Sequence, residues 1–398
     1  MKLFQKLLVA PAALGFFAPL SVAASEANFN QVDNYSQVDV EISSDSFKPL
    51  STKNPLLAGG EGLNQVQSND FDGDTFSSTT SASFSADFAI GSVSGSANEL
   101  VSVADSWAVE LSTSFTGNDS LDVAIVAGDG SSNLAELDLD DTDAGSGDAL
   151  TVDSISYTTQ LGDKLTVFFG EGDGLDGGKL FNTACVYSGP TDTLDDCGIA
   201  SANLASSNGT SFGASYDLGN GFAAAIGYTG QGNTKSGILT NEGLDAYAFN
   251  ASYEGDSFGA SFSFSDNELS ADAGDEVTFA SYGFSGYFTP DLVNFPSISA
   301  GFEQIHVDGD NVTSDFDDLS MWFLGLQWDE LGNGTLGAAV GTKTPTVENS
   351  TEELMYEAFY AYNYADGITI TPLIYVKESA EANVDDETGI MLKTSFSF

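Results

Sequence analysis

From residue 84 to the last residue, apolar and small polar side chains alternate with a period of two in segment after segment. Phe84, Ala86, Phe88 and Ile90 share one face; Trp107, Val109, Leu111 and Phe115 share another; Phe222, Ala224, Ile226 and Tyr228 repeat the pattern. That spacing belongs to strands whose two faces meet different surroundings, because successive strand side chains point to opposite sides. One face here is apolar, and the other carries Ser, Thr, Gly and charge. Beyond the leader no run of about 18 apolar residues occurs, so helices cannot span a bilayer. If this chain meets a membrane it must do so as a closed barrel, in which every backbone group of every strand is paired.

The alternation predicts sixteen strands, near 75–90, 102–116, 120–127, 150–160, 164–170, 210–218, 221–229, 244–254, 257–265, 277–288, 295–307, 319–328, 335–342, 353–364, 367–377 and 388–398. The connections alternate between short and long. Thr116 to Asp119, Leu161 to Asp163, Leu218 to Gly221, Glu254 to Asp256, Asp329 to Gly334 and Ala365 to Gly367 are short, and most have the Gly-Asn or Asp-Gly chemistry of tight hairpins. The segments 128–149, 171–209, 230–243, 265–276, 308–318, 343–352 and 378–387 are long and acidic. A water-soluble sandwich has no reason to gather its long loops at one end, whereas an outer-membrane barrel has short periplasmic turns and long external loops. The expected fold is therefore all-β, a 16-stranded antiparallel transmembrane barrel over residues 73–398.

Residues 1–24 read as a signal peptide: Lys2 and Lys6 precede a short apolar run, and Val22-Ala23-Ala24 suits cleavage. Residues 25–72 are polar, Pro- and Gly-punctuated, and read as a periplasmic arm or partial plug. Charge bears on partners. Ten lysines and no arginine stand against 59 Asp and Glu, a formal net charge of −49, so nucleic acid is a poor partner. Cys185 and Cys197, the only cysteines, lie in a Gly-, Asp- and Ser-rich stretch of an exported chain and are expected to form a loop disulfide. Phe398 ends an amphipathic last strand and looks like the signal read by the barrel assembly machinery.

Several segments resemble cyanobacterial outer-membrane porins of the type labelled iron-uptake porins, themselves distantly similar to carbohydrate-selective porins. They are MKLFQKLLVAPAALG (1–15), FSSTTSASFSADFAIG (76–91), FTGNDSLDV (115–123), SISYTTQLGDKLTVFFG (154–170) and YDLGNGFAAAIGYTGQG (216–232). The resemblance implies an outer-membrane pore, a homotrimer in contact with outer-membrane lipid and lipopolysaccharide. Such porins usually carry an S-layer-homology domain and a coiled coil before the barrel. Residues 25–72 are too short for both and lack heptads, so wall anchoring through that domain is not expected.

Placing the apolar face toward lipid puts Asp87, Glu110, Asp122, Asp217, Glu303 and Glu357 on the pore side, with Lys393 among them. These acids are the candidate lining of a cation-preferring channel. In general porins a third loop folds inward to narrow the pore, and the connection 171–209 holds that place here. No catalytic, cofactor-binding or metal residue is assigned. His306 is the only histidine, at the outer end of a strand, which severely restricts acid–base chemistry. The Asp-rich stretches Gly128 to Asp148 and Gly170 to Gly178 lack the spacing of a calcium loop. The expected function is passive diffusion of small hydrophilic solutes and ions. A plugged transporter for a hydrophobic or specific substrate, and an acidic structural surface barrel, are the alternatives.

Overall fold

The computed structural model describes residues 79–398 apart from 96–98, 131–133, 138, 140–148, 173, 200–201, 203–208, 233–236, 241–242, 271–276, 293, 310–317, 348–349 and 380–383. The expected signal peptide (1–24), the arm (25–72) and the start of the barrel at 73 lie outside the described residues. The first eight strands are β1 (Thr80–Ser94), β2 (Val101–Thr113), β3 (Asp119–Asp129), β4 (Thr151–Leu161), β5 (Leu165–Gly172), β6 (Gly209–Gly219), β7 (Phe222–Gly230) and β8 (Asp245–Glu254). There follow β9 (Phe258–Ser270), β10 (Val277–Phe288), β11 (Ser297–Gly309), β12 (Asp318–Trp328), β13 (Gly334–Thr342), the two-residue β14 (Thr346–Val347), β15 (Leu354–Ala365), β16 (Ile368–Lys377) and β17 (Glu387–Ser397).

Sixteen of these strands form the wall, each antiparallel to the next, and β14 only extends the ladder beside β12. β17 returns to β1 in register from Ser85 opposite Ser397 to Ser94 opposite Thr388. The sheet is thus a closed barrel, which leaves no edge strand unpaired. The short connections fall at one end. One of them is the two-residue Asn220-Gly221 turn, whose left-handed φ values of 57° and 84° match the twist of the flanking strands.

Several strands run past their sequence-based ends, three of them with markedly polar tips. β1 begins at Thr80 and continues to Ser94, β9 reaches Ser270 and β11 reaches Gly309. Their polar tips read as loop, yet each is held by partners: Ser92 pairs with both Val101 and Ile390, and Asp266, Asn267 and Glu268 pair with Ala280, Phe279 and Thr278. Ladder hydrogen bonds outweigh weak strand propensity there. Phe115 lies beyond the end of β2, exposed in the following turn.

The wall has two chemistries. Phe88, Ile226 and Phe284 point outward, more than half exposed, whereas Ser211, Ser263 and Ser281 point inward and are fully buried. An exposed aromatic wall is unfavourable in water and suits a hydrocarbon surround. Aromatic pairs crowd the short-turn end: Phe84 with Phe398 at 4.9 Å, Phe222 with Tyr253 at 4.7 Å and Tyr253 with Phe258 at 5.2 Å. Tyr228 departs from its outward neighbours. It is buried because its hydroxyl donates to Asp245 and accepts from the Leu239 amide, 3.1 Å away in the following loop.

Candidate functional site

The connection between β5 and β6 does not stay outside the barrel. Its Leu175 carbonyl accepts a hydrogen bond from Ser211 Oγ (3.1 Å) on β6. Lys179 reaches back to Ser156 Oγ on β4 (2.7 Å), and Phe181 packs on Ala246 and Ala248 of β8. The Asn182 amide donates to Asn250 Oδ1 (3.2 Å), the Val186 and Tyr187 amides both donate to Ser299 Oγ on β11 (3.1 Å), and the Ser188 amide donates to Gln327 Oε1 on β12 (3.1 Å). The segment therefore lines the inner wall from β4 round to β15.

Inward-facing glycines make room for it. A methyl group on Gly227 would run into Gly177, one on Gly283 into Ile199 and Ala202, and one on Gly301 into the Cys197 carbonyl. Cys185 on the outgoing pass and Cys197 on the returning pass are joined by a disulfide, with Cα atoms 6.0 Å apart. The tip is fixed by Glu357 of β15. Its two carboxylate oxygens accept from Tyr187 Oη (2.5 Å) and Thr191 Oγ1 (2.6 Å), with all three residues buried. Burial first, and then the neighbouring Glu357 charge, push the Tyr187 hydroxyl well above the usual tyrosine range and keep it a donor. The Tyr187 ring meets Phe323 at 5.2 Å and Phe359 at 6.0 Å.

A second connection, between β3 and β4, also turns inward. Leu134, Leu137 and Leu139 bury themselves with Ala89, Val93, Ala104 and Met391 of the inner wall. Leu137 bridges to Thr191, the Asp192 amide donates to the Glu136 carbonyl (3.2 Å), and the Glu136 carboxylate pairs with Lys377 of β16 while accepting from the Thr193 amide (3.2 Å). Two loops thus interlock inside the barrel.

The six acids have different fates within that arrangement, although all six sit on the inner face. Glu357 and Glu303 are buried. Asp87 is ion-paired with Lys393 at 3.2 Å, and Asp122 lies 3.9 Å from Lys179. Asp217 stands near the short-turn end, where it accepts from the Gly219 amide (2.7 Å). Glu110 is exposed, with Ser83 Oγ 3.5 Å away. Sequence reasoning missed Lys179 and Lys377, which bring positive charge inside, and missed the inward second loop. The row of inward glycines was the available signal.

His306 faces outward from β11, exposed, with its Nδ1 3.1 Å from Asp318 Oδ1 across the ladder. Among the described residues no three His, Cys, Asp or Glu side chains gather as a metal-holding group. Phe398 is exposed, and its backbone exchanges hydrogen bonds with Phe84, N to O at 3.0 Å and O from N at 2.8 Å.

A closed sixteen-stranded antiparallel barrel with an apolar outer wall and an inward-folded loop defines an outer-membrane, porin-like fold. No family model matches the chain, and no curated protein matches it. Among solved structures it is similar to OprB of Pseudomonas putida, at 14% identity over 80% of this chain and 94% of that one, with a TM-score of 0.57. It is also similar to OmpT, an outer-membrane protein of Vibrio cholerae, at 10% identity over 81% and 99% of the two chains, with a TM-score of 0.53. The trimer form of in-vitro-folded OmpT matches with a TM-score of 0.52, at 10% identity over 80% and 99%. These likenesses concern the fold.

Proposed function

We propose that the protein is an outer-membrane porin through which small hydrophilic solutes and ions diffuse passively, with a preference for cations. The observation that carries this reading is the loop folded into a closed barrel. It occupies much of the inner wall and leaves a hydroxyl- and carboxylate-bearing face beside it. A wet inner wall inside an apolar outer one is the arrangement of a pore. The net charge of −49 favours cations at the mouth. The effect weakens with salt, because the screening length is about 8 Å at physiological ionic strength.

Assembly as a homotrimer, contact with lipid and lipopolysaccharide, and Phe398 as the assembly signal belong to the same proposal. So does membership of the cyanobacterial iron-uptake porin type, which the sequence resemblance supports. The six inner-face acids remain the proposed lining, with the exposed Glu110 carrying more weight than Glu303 or Glu357. Swelling of liposomes that contain the purified protein, in neutral sugars of increasing size, tests the reading. Rates should fall smoothly with sugar size, and liposomes as tight as protein-free ones would overturn it.

A further inference from the structure

We propose that the chain is a substrate of a periplasmic thiol oxidant, an oxidoreductase carrying a Cys-X-X-Cys disulfide, and that the Cys185–Cys197 bond is made before the barrel closes round its loop. The inference concerns assembly and does not rest on the pore reading.

Both sulfurs end up inside the closed wall. Cys197 is fully buried, packed in one cluster with Leu194, Phe323 and Met355. Its carbonyl sits where a side chain on Gly301 of β11 would be, and Gly198 meets Phe323 of β12. Cys185 is half-buried, and the two residues after it, Val186 and Tyr187, donate their amides to Ser299 Oγ on β11 (3.1 Å). The ring closed by the disulfide therefore lies against the inner faces of β11 and β12. A folded domain of about 100 residues has a radius of gyration of about 13 Å. It is too large to enter a sixteen-stranded barrel in which two loops already line the wall. A small thiol reagent can follow the lumen to the half-buried Cys185, and a protein cannot.

The sequence lets the bond form early. The cysteines are 12 residues apart, and a loop of about 10 residues closes in roughly 10–100 ns. Docking instead needs Ser299, Gln327 and Glu357, which stand 112, 139 and 170 residues beyond the groups they hold. An exported chain thus presents both thiols in open solution before the strands that bury them are in place. The exchange takes two steps. The Cys185 thiolate attacks one sulfur of the oxidant's disulfide and releases the other as a thiolate. The Cys197 thiolate then attacks Cys185 Sγ in that mixed disulfide, which closes the ring and releases the oxidant. Two electrons and two protons pass from the cysteine pair to the oxidant, which leaves as a dithiol.

The test uses the full-length protein, a purified Cys-X-X-Cys oxidoreductase, and thiol counting by mass after alkylation in denaturant. Reduced protein, either folded in detergent or kept unfolded by leaving detergent out, is given the oxidised oxidoreductase. Oxidised protein in the same two states is given the reduced one. In both directions the unfolded chain should exchange faster than the folded barrel by a factor on the order of 100 or more, because the docked segment must first open. The second direction starts from the oxidised barrel, so it decides the matter even where the reduced chain does not fold. Equal rates for the folded and the unfolded chain would overturn the order of events. Two free thiols in barrels isolated under alkylation would remove the bond, and the proposal with it.

Discussion

Replacing Glu357 by alanine should release the tip of the inward loop while the barrel stays closed. Glu357 is 5% exposed and accepts from Tyr187 and Thr191, which are themselves 4% and 0% exposed. Removing it leaves two buried hydroxyls without their charged acceptor, at roughly 1–3 kcal/mol each. About 2 kcal/mol, the low end of the total, multiplies a detached population roughly 30-fold. Detachment should stop at the tip, since the Ser299 and Gln327 anchors and the disulfide lie outside the lost contacts. The β13–β15–β16 ladder is untouched, so strand content should not change. Single-channel recording reads the outcome: Glu357→Ala should show a larger mean conductance and more open-channel noise. Glu357→Gln keeps the shape and one acceptor and should fall between alanine and wild type. Tyr187→Phe and Glu357→Ala should be non-additive, because both remove the same bond. An alanine variant with wild-type conductance and noise would refute the anchoring role.

Reduction of the Cys185–Cys197 disulfide, or its replacement by two serines, should increase the same noise. A ring of this size limits the unfolded loop by about 3 kcal/mol in chain-entropy terms, and recording before and after reductant checks it. Gly227→Val should shift the loop where Gly177 seats, altering conductance at a cost of roughly 1–3 kcal/mol of overpacking, measured by recording together with thermal unfolding. Impermeant thiol reagents on intact cells should label cysteines placed at Thr240 or Ser379, in the long connections, and not at Asn220 or Asp366, in the short turns. Equal labelling of the two sets would invert or abolish the topology.

The barrel was legible because a wall between lipid and water imposes a period of two on every strand, and because short and long connections alternate. Parity also fixed which face each acid occupies. Exposure was not legible, since it depends on the path of a loop whose partners are distant in sequence. Glu303 and Glu110 read alike along the chain, yet one is buried beneath the inner lining and the other stands open. The second inward loop escaped notice because Leu134, Leu137 and Leu139 sit in an acidic stretch without regular alternation. Gly227, Gly283 and Gly301 read as ordinary strand glycines, and only the close approach of the loop gives them a purpose. Tyr228 keeps the outer face that parity gives it, stacked on Phe212 and Tyr247, but a loop contact, invisible to periodicity, covers it.

Planar-bilayer recording of the purified, folded full-length chain in concentrated potassium chloride tests the central claim most directly. The account predicts discrete insertion steps, each leaving a steady current that is linear with voltage near zero and needs no energy source. Folded protein that enters the bilayer and carries no steady current would contradict it.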